Sequence, residues 1–279
     1  MQCTSVKVIS DGVMKIDGGS MFGLVPKVAW ENCVPTDRKN RMTLGINCLL
    51  LQVSGKNVLV DTGVGSKEED LEDESIATVG MSHGKLIKGL KSAGLTPKDI
   101  HAVVLSHLHF DHSGGCTKWD RSGEIVTTFP SARYYAQRAS WEEACHPSDR
   151  CSAAHKSENF LPLERYGQLE LLDGDTEILP GLKVIVTEGH SAGHQMVLFN
   201  HGGERIAYLG DLVPTPYHLG PSVISAFDSS PEVTLERKRE ILAEAERQDW
   251  LLVFPHGHDV QAGYLERRSE KLCLRPVDL

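Results

Sequence analysis

The stretch LSHLHFDHSGG at 105–115 constrains this chain more than any other. It sets His107, His109, Asp111 and His112 directly after AVVLS at 102–106, an apolar run that reads as a buried strand. In extended chain, residues i and i+2 point to the same side, so the imidazoles of His107 and His109 converge on one ion. Asp111 and His112 follow where the chain turns, ahead of Gly114 and Gly115, and form part of a second site beside the first. Imidazole suits zinc, iron, nickel or cobalt, and a carboxylate completes or bridges. Three histidines this close would repel one another when protonated. A cation that holds them neutral accounts for the spacing.

Three later segments supply what that cluster lacks. TEGHSAGHQ at 187–195 follows a strand and offers His190 as a ligand at a strand-to-loop junction. His194 reads equally as a ligand or as a loop histidine behind one. In AYLGDLVP at 207–214, Asp211 ends a strand after Gly210, where a small residue permits close backbone approach; alone it reads as a turn aspartate. VFPHGHDV at 253–260 ends another strand and offers His256 or His258.

The pattern between these segments predicts the fold class. Strands are expected over 5–10, 13–17, 46–53 and 57–61, the last two joined by a turn at SGKN, 54–57. A helix is expected from Ser82, with Leu86, Leu90 and Ala93 on one face and Gly94 as its stop. Strands at 132–137, 169–172 and 182–187 follow, with a helix at 139–144. HGGE at 201–204 marks a hairpin between 196–200 and 205–209. The segment 234–247 is the clearest helix, with Leu235, Leu242 and Ala245 on one face, and 250–254 is a last strand. Each half has strands and at least one helix, which suits two sheets packed face to face with helices outside. A doubly wound nucleotide-binding fold would want strict alternation and a glycine-rich first turn, and has neither here.

No repeat, low-complexity tract or linker divides the 279 residues, so they read as one domain, 1–279, with a loop-rich segment at 18–41. Lys plus Arg number 29 against 38 for Asp plus Glu, a net charge of -9, which argues against a nucleic-acid partner. No run reaches the ~18 apolar residues of a membrane span, and the N-terminus has no apolar h-region of a signal peptide. Seven scattered cysteines without a Cys-x-x-Cys pair read as free thiols in a reducing cytoplasm.

HxHxDH, then GHxxGH, then LGD, then Gly-His-Asp, over about residues 45–260, resembles the metallo-β-lactamase superfamily. GGSMFGLVPKVAW at 18–30, LVDTGVG at 59–65, SHLHFDHSGG at 106–115 and LGDLVPTPYH at 209–218 resemble the bacterial quorum-quenching lactonases, which open N-acyl homoserine lactones. The resemblance implies a four-layer αββα sandwich and two divalent ions, zinc by default, with iron, cobalt or manganese accepted by the same ligands. It implies that His107, His109 and His190 hold one ion and that Asp111, His112 and a C-terminal histidine hold the other, with Asp211 bridging. His258 is preferred for that last place on the Gly-His-Asp order, with His256 as the alternative. Asp61 matches an early aspartate that orders the site from behind. Some lactonases place a tyrosine three residues after the bridging aspartate; here Pro214 stands there, and Tyr217 and His218 are the candidates for carbonyl contact.

The implied activity is ring opening by metal-activated water, with Asp111 returning a proton to the leaving alkoxide. The acyl arm of the small-molecule substrate would lie on Met21, Phe22 and Trp30, which read equally as a dimer contact or a core edge. A homodimer is expected. The alternatives are a thioester or phosphoester (organophosphate) hydrolase with the same ligands and, from another class, an iron-dependent oxidoreductase.

Overall fold

The computed structural model describes residues 3–67, 78–82, 84–269 and 271–279. Its strands form two half-sheets. In the first, Cys3–Asp17, Arg41–Val53, Lys56–Val60, Ala102–Val104, Arg133–Gln137 and Leu169–Leu172 lie side by side. In the second, Gln195–His201, Glu204–Tyr208, Leu251–Val253, Ala262–Arg268 and Lys271–Val277 do the same. The halves are joined where Cys3 pairs with His201.

Period-2 alternation builds the layers. Leu49, Leu51, Val58, Val60 and Val104 face Val197, Phe199, Tyr208 and Val253 in one buried cluster between the half-sheets. Their neighbours in sequence point the other way. Leu50, Leu59 and Val103 meet Leu86 and Leu90 of the Leu86–Ser92 helix and Phe160 of the Ser157–Arg165 helix. Met196, Ala207 and Leu252 meet Ile241, Leu242 and Ala245 of the Pro231–Arg247 helix. The strands are therefore apolar on both faces, as expected of sheets covered on both sides. The result is a four-layer αββα sandwich.

Several elements differ from the sequence pattern. The first two strands are one, Cys3–Asp17, with a register shift between Ser10 and Gly12. Ser82 ends a strand, Thr78–Ser82, and the helix starts at Leu86. The Pro231–Arg247 helix buries Thr234 and Lys238 along with Ile241, Leu242 and Ala245, whereas Leu235 is half-buried. The terminal hairpin, Ala262–Arg268 with Lys271–Val277, was not expected: its polar positions, the exposed Arg267 and Arg268 among them, hide the strand period. The HGGE hairpin forms as expected, with Gly202 and Gly203 both at positive φ between the paired His201 and Glu204.

The strands Lys56–Val60, Ala102–Val104, Glu204–Tyr208 and Leu251–Val253 all release their chains at one end of the sandwich, and the histidine-bearing loops gather there. The seam between the halves is bonded at the same place. Gly45 and Asn47 donate backbone N–H groups to the carbonyls of His256 and Pro255. The Asn47 side-chain amide donates to Phe254 and Gly257 carbonyls. Among the described residues no helix is long and apolar enough to cross a membrane.

Candidate metal centre

His107 leaves the end of its strand buried, its Nδ1 3.1 Å from the hydroxyl of Ser106 and its Nε2 turned inward. The chain then enters a short helix, Phe110–Ser113, that carries Asp111 and His112. The turn is compact because Gly114 lies where a Cβ would stand 2.1 Å from the carbonyl of Val64. Ligand-capable atoms of His107, His109 and His190 lie within 4.8 Å of one another; so do those of Asp111, His112 and His256, and those of His107, His112 and Asp211.

Asp211 joins the groups. Its Oδ1 lies 3.4 Å from His112 Nε2 and 3.2 Å from His256 Nε2, while Oδ2 lies 3.4 Å from His190 Nε2. Asp111 Oδ2 is 3.6 Å from His256 Nε2. Two nitrogen pairs face each other at 3.2 Å: His109 Nδ1 with His190 Nε2, and His112 Nε2 with His256 Nε2.

The inward-facing atoms are poorly satisfied by protein. His107 Nε2 and Asp211 Oδ1 are buried without a hydrogen-bond partner. Leaving such atoms unpaired is costly, and a divalent cation among converging imidazole and carboxylate donors removes the cost. Burial, reinforced by neighbouring imidazoles, pushes His107 and His109 well below the ordinary histidine value. Burial acts the same way on His112, His190 and His256, but there the carboxylates, Asp211 foremost, outweigh it and raise all three. Burial alone would raise Asp211, yet His256, His112 and His190 hold it well below the usual range. The donor set fits a divalent first-row metal.

The outward nitrogens are anchored, which fixes ring orientation and tautomer. His112 Nδ1 lies 2.8 Å from Asp61, His190 Nδ1 2.9 Å from Asp228, and His256 Nδ1 donates to the Gly45 carbonyl at 2.9 Å. Asp61 is buried at positive φ and also accepts from the backbone and hydroxyl of Ser106 and from Tyr208. That is the ordering role expected of it. His194 stands behind the cluster: its Nε2 accepts from the Asp211 backbone at 2.8 Å and Nδ1 meets Thr187. Gly210 admits that ring, since a Cβ there would stand 2.6 Å from Nε2. Burial lowers His194 to about 3, so it stays a neutral acceptor.

Three expectations need correction. His256, not His258, reaches the cluster; it follows the strand at once and is tied to the seam, whereas the His258 side chain is 45% exposed beside Asp259. His218 is buried with both nitrogens engaged, Nδ1 with Thr215 and Nε2 with the Met21 carbonyl, and Tyr217 faces outward at 39% exposure. Neither lines the cavity over the cluster. Phe22 and Trp30 stack on each other at 4.7 Å, and Phe22 on His218 at 5.0 Å, as a core edge; Met21 alone of the three reaches the cavity.

That cavity has a volume of about 350 Å³. His109, Asp111, His190, Asp211 and His256 form its floor, and Met14, Ile16, Met21, Leu44, Phe110 and Phe227 its walls. A wider depression of about 740 Å³, beside Trp119 and Tyr166, holds none of the candidate ligands. The wall segment 218–228 is pinned from the helix beneath it. The buried Lys238 ammonium donates to the carbonyls of His218 and Val223, and burial lowers it to about 8. Asp228 and Lys238 escaped the sequence reading. FDSSPE looks like a turn before a helix, and a lysine in a charged helix looks like solvent surface. All seven cysteines are free thiols.

A family model described as the metallo-beta-lactamase superfamily matches residues 41–258. Among curated relatives, an N-acyl homoserine lactonase of Bacillus cereus is 27% identical over 235 residues, 80% of this chain and 84% of the relative. The N-acyl homoserine lactonase AttM of Rhizobium radiobacter is 27% identical over 180 residues, 63% of this chain and 65% of the relative. Among solved structures, a probable metal-dependent hydrolase from Staphylococcus aureus matches at a TM-score of 0.85 and 27% identity over 100% of both chains. The dizinc quorum-quenching lactonase AidC, in complex with a product, shares the fold at a TM-score of 0.79 and 18% identity, over 100% of this chain and 97% of its own.

Proposed function

The chain belongs to the metallo-β-lactamase superfamily and is a metal-dependent hydrolase, and from that premise we propose that it opens the ring of N-acyl homoserine lactones or closely related lactones. The observation that carries the reading is the cavity: apolar walls for an acyl arm stand directly over a floor of converging imidazoles and carboxylates. A volume of about 350 Å³ suits a small ligand.

In this reading His107, His109 and His190 would hold one ion and Asp111, His112 and His256 the other, with Asp211 between the two groups. Two divalent ions, zinc by default, would supply an acidified water and polarisation of the ester carbonyl. The protein does the rest. Ser106, Asp61, Asp228 and the Gly45 carbonyl keep the imidazoles aimed. His194, neutral down to about 3, holds the Asp211 backbone in place. Met14, Ile16, Leu44 and Phe110 exclude water from the arm beside the scissile bond. Asp111, on the cavity floor, would take the proton given up by the attacking water and pass it to the leaving alkoxide. Leu24 and Val28, 99% and 75% exposed on the 18–41 segment, supply apolar surface for a homodimer, which light scattering would detect. The free thiols suit a cytoplasmic setting.

The test is ring opening of a panel of N-acyl homoserine lactones, followed by acid release on metal-analysed protein beside His109→Ala. Turnover that needs about two ions per chain and disappears in the variant is the expected result. A fully metallated protein that leaves every lactone intact, yet cleaves a thioester or phosphoester, overturns the substrate assignment.

A further inference from the structure

The cavity wall is interrupted by one Lys or Arg side chain among the described residues, Arg150. Its Nη2 donates to the backbone carbonyl of Ala226 and, at 3.3 Å, to that of Asp228. The contact reaches from the 147–155 segment to the wall segment that carries Ser225, Ala226 and Phe227. Backbone carbonyls orient the guanidinium without neutralising it, and Arg150 makes no ion pair among the described residues. Its Nε and Nη1 have no protein partner there. Nearby hydroxyls do not compete for a ligand: Ser225 Oγ already donates to the Ser20 carbonyl at 3.2 Å and accepts from Phe227 N at 3.1 Å.

Arg150 is exposed at the cavity rim and tethered through Nη2 alone, and an unneutralised guanidinium with spare N–H groups recognises an oxygen acceptor, a planar one above all. In a cavity it shares with Met21, Ala154, Ala226 and Phe227, it has little to gain from a plain hydrocarbon arm. Resting on the lactonase reading, we infer that Arg150 is a specificity-determining residue that selects substrates whose acyl arm carries an oxygen acceptor, a ketone or a carboxylate, over those with an unsubstituted arm. Acceptors of both kinds offer the same chemistry, and the substrates below tell them apart.

The experiment uses the zinc-loaded full chain and its Arg150→Met variant. Three lactones are compared by kcat/KM: N-hexanoyl, N-(3-oxohexanoyl) and N-adipoyl homoserine lactone. Their ring-opened products are titrated by calorimetry, a readout that needs no turnover. The wild type should favour at least one oxygenated arm by about tenfold, the discrimination expected of one charge-assisted hydrogen bond, and Arg150→Met should bring that ratio close to one. A preference for the ketone alone, or the carboxylate alone, identifies the acceptor. Equal treatment of all three by the wild type overturns the inference. So does a variant that weakens plain and oxygenated arms in the same proportion, which would make Arg150 only a strap across the cavity mouth. Product selectivity without turnover on any lactone leaves the Arg150 assignment standing and removes the lactonase one. Neither turnover nor product binding removes both.

Discussion

The two halves of the sandwich feed one cluster in different ways. The first half offers His107, His109, Asp111 and His112 from a single turn after one strand. The second offers His190, Asp211 and His256 from three loops, each behind a different strand. The first set is held by local geometry, with strand alternation for the two leading histidines and a one-turn helix for the others. The second set meets only because three strands end together and the seam ties His256 to Gly45. A local motif can be kept by sequence alone, whereas a dispersed one depends on the whole fold.

Breaking either contribution should have the largest effect. His109→Ala and His256→Ala should each strip metal and lower kcat/KM by more than the ~10–100-fold expected of outer partners. His258→Ala should change kcat/KM by less than about threefold, as for exposed surface. Metal analysis beside kinetics decides this, and metal loss in His258→Ala with retention in His256→Ala would reverse the assignment of the second half.

The next effect is at the carboxylates behind the rings. Asp61→Asn and Asp228→Asn should each weaken metal affinity by ~10–100-fold, seen in chelator competition. Asp61 should cost more, because it also accepts from Ser106 and Tyr208 at the seam. Equal losses would mean that the seam contacts do not matter to the site.

This contrast sets what was legible beforehand. The first-half members of the cluster could be read from spacing, because i, i+2 geometry in a strand is local. His190 and Asp211 could be read as strand-end residues within recognisable segments. His256 against His258 turns on where a strand stops, which the seam contacts of Asn47 and Gly45 decide from far away in sequence. Asp228, Arg150 and Lys238 had no signal, since each acts through backbone carbonyls or a ring brought close only by folding. The layer order was readable from apolar strand runs, but the Thr117–Trp119 and Ile125–Thr127 hairpin was not, being short and largely half-buried.

Acid should act more gently and on both halves at once, through His112 of the first and His190 and His256 of the second. In the metal-free protein His112, His190 and His256 bind protons more readily than an ordinary imidazole, so protons compete with the ion for them. Zinc affinity should therefore start to fall above pH ~6.5 and keep falling as the pH drops. A constant affinity between pH 8 and 6 would contradict it (both values roughly spanning the imidazole range).

The last effect concerns the stability of the fold and leaves the metal affinity aside. Burial holds His194 and His218 neutral down to about 3 and about 4 in the folded chain. The unfolded chain takes up these protons first, near pH ~6.5, so stability present above that value is lost as pH falls toward 4 and then 3. Each ring contributes at most ~1.4 kcal/mol per pH unit. Urea titrations at stepped pH should show a shallower acid slope in His218→Gln, and an unchanged slope would mean that the ring is already protonated in the fold.

The single pairing of Cys3 with His201 has a consequence for how the molecule is made. A ribosome delivers the Cys3–Asp17 strand some two hundred residues ahead of its parallel partner. By then the His107–His112 turn has long been available, but Asp211 and His256 have not. The nascent chain can offer an ion only part of its donors, and the apolar inner face of Leu49, Leu51 and Val60 waits uncovered meanwhile. All the donors of the cluster stand together only once His256 has emerged and folded back, so a filled centre would certify that both halves have been made.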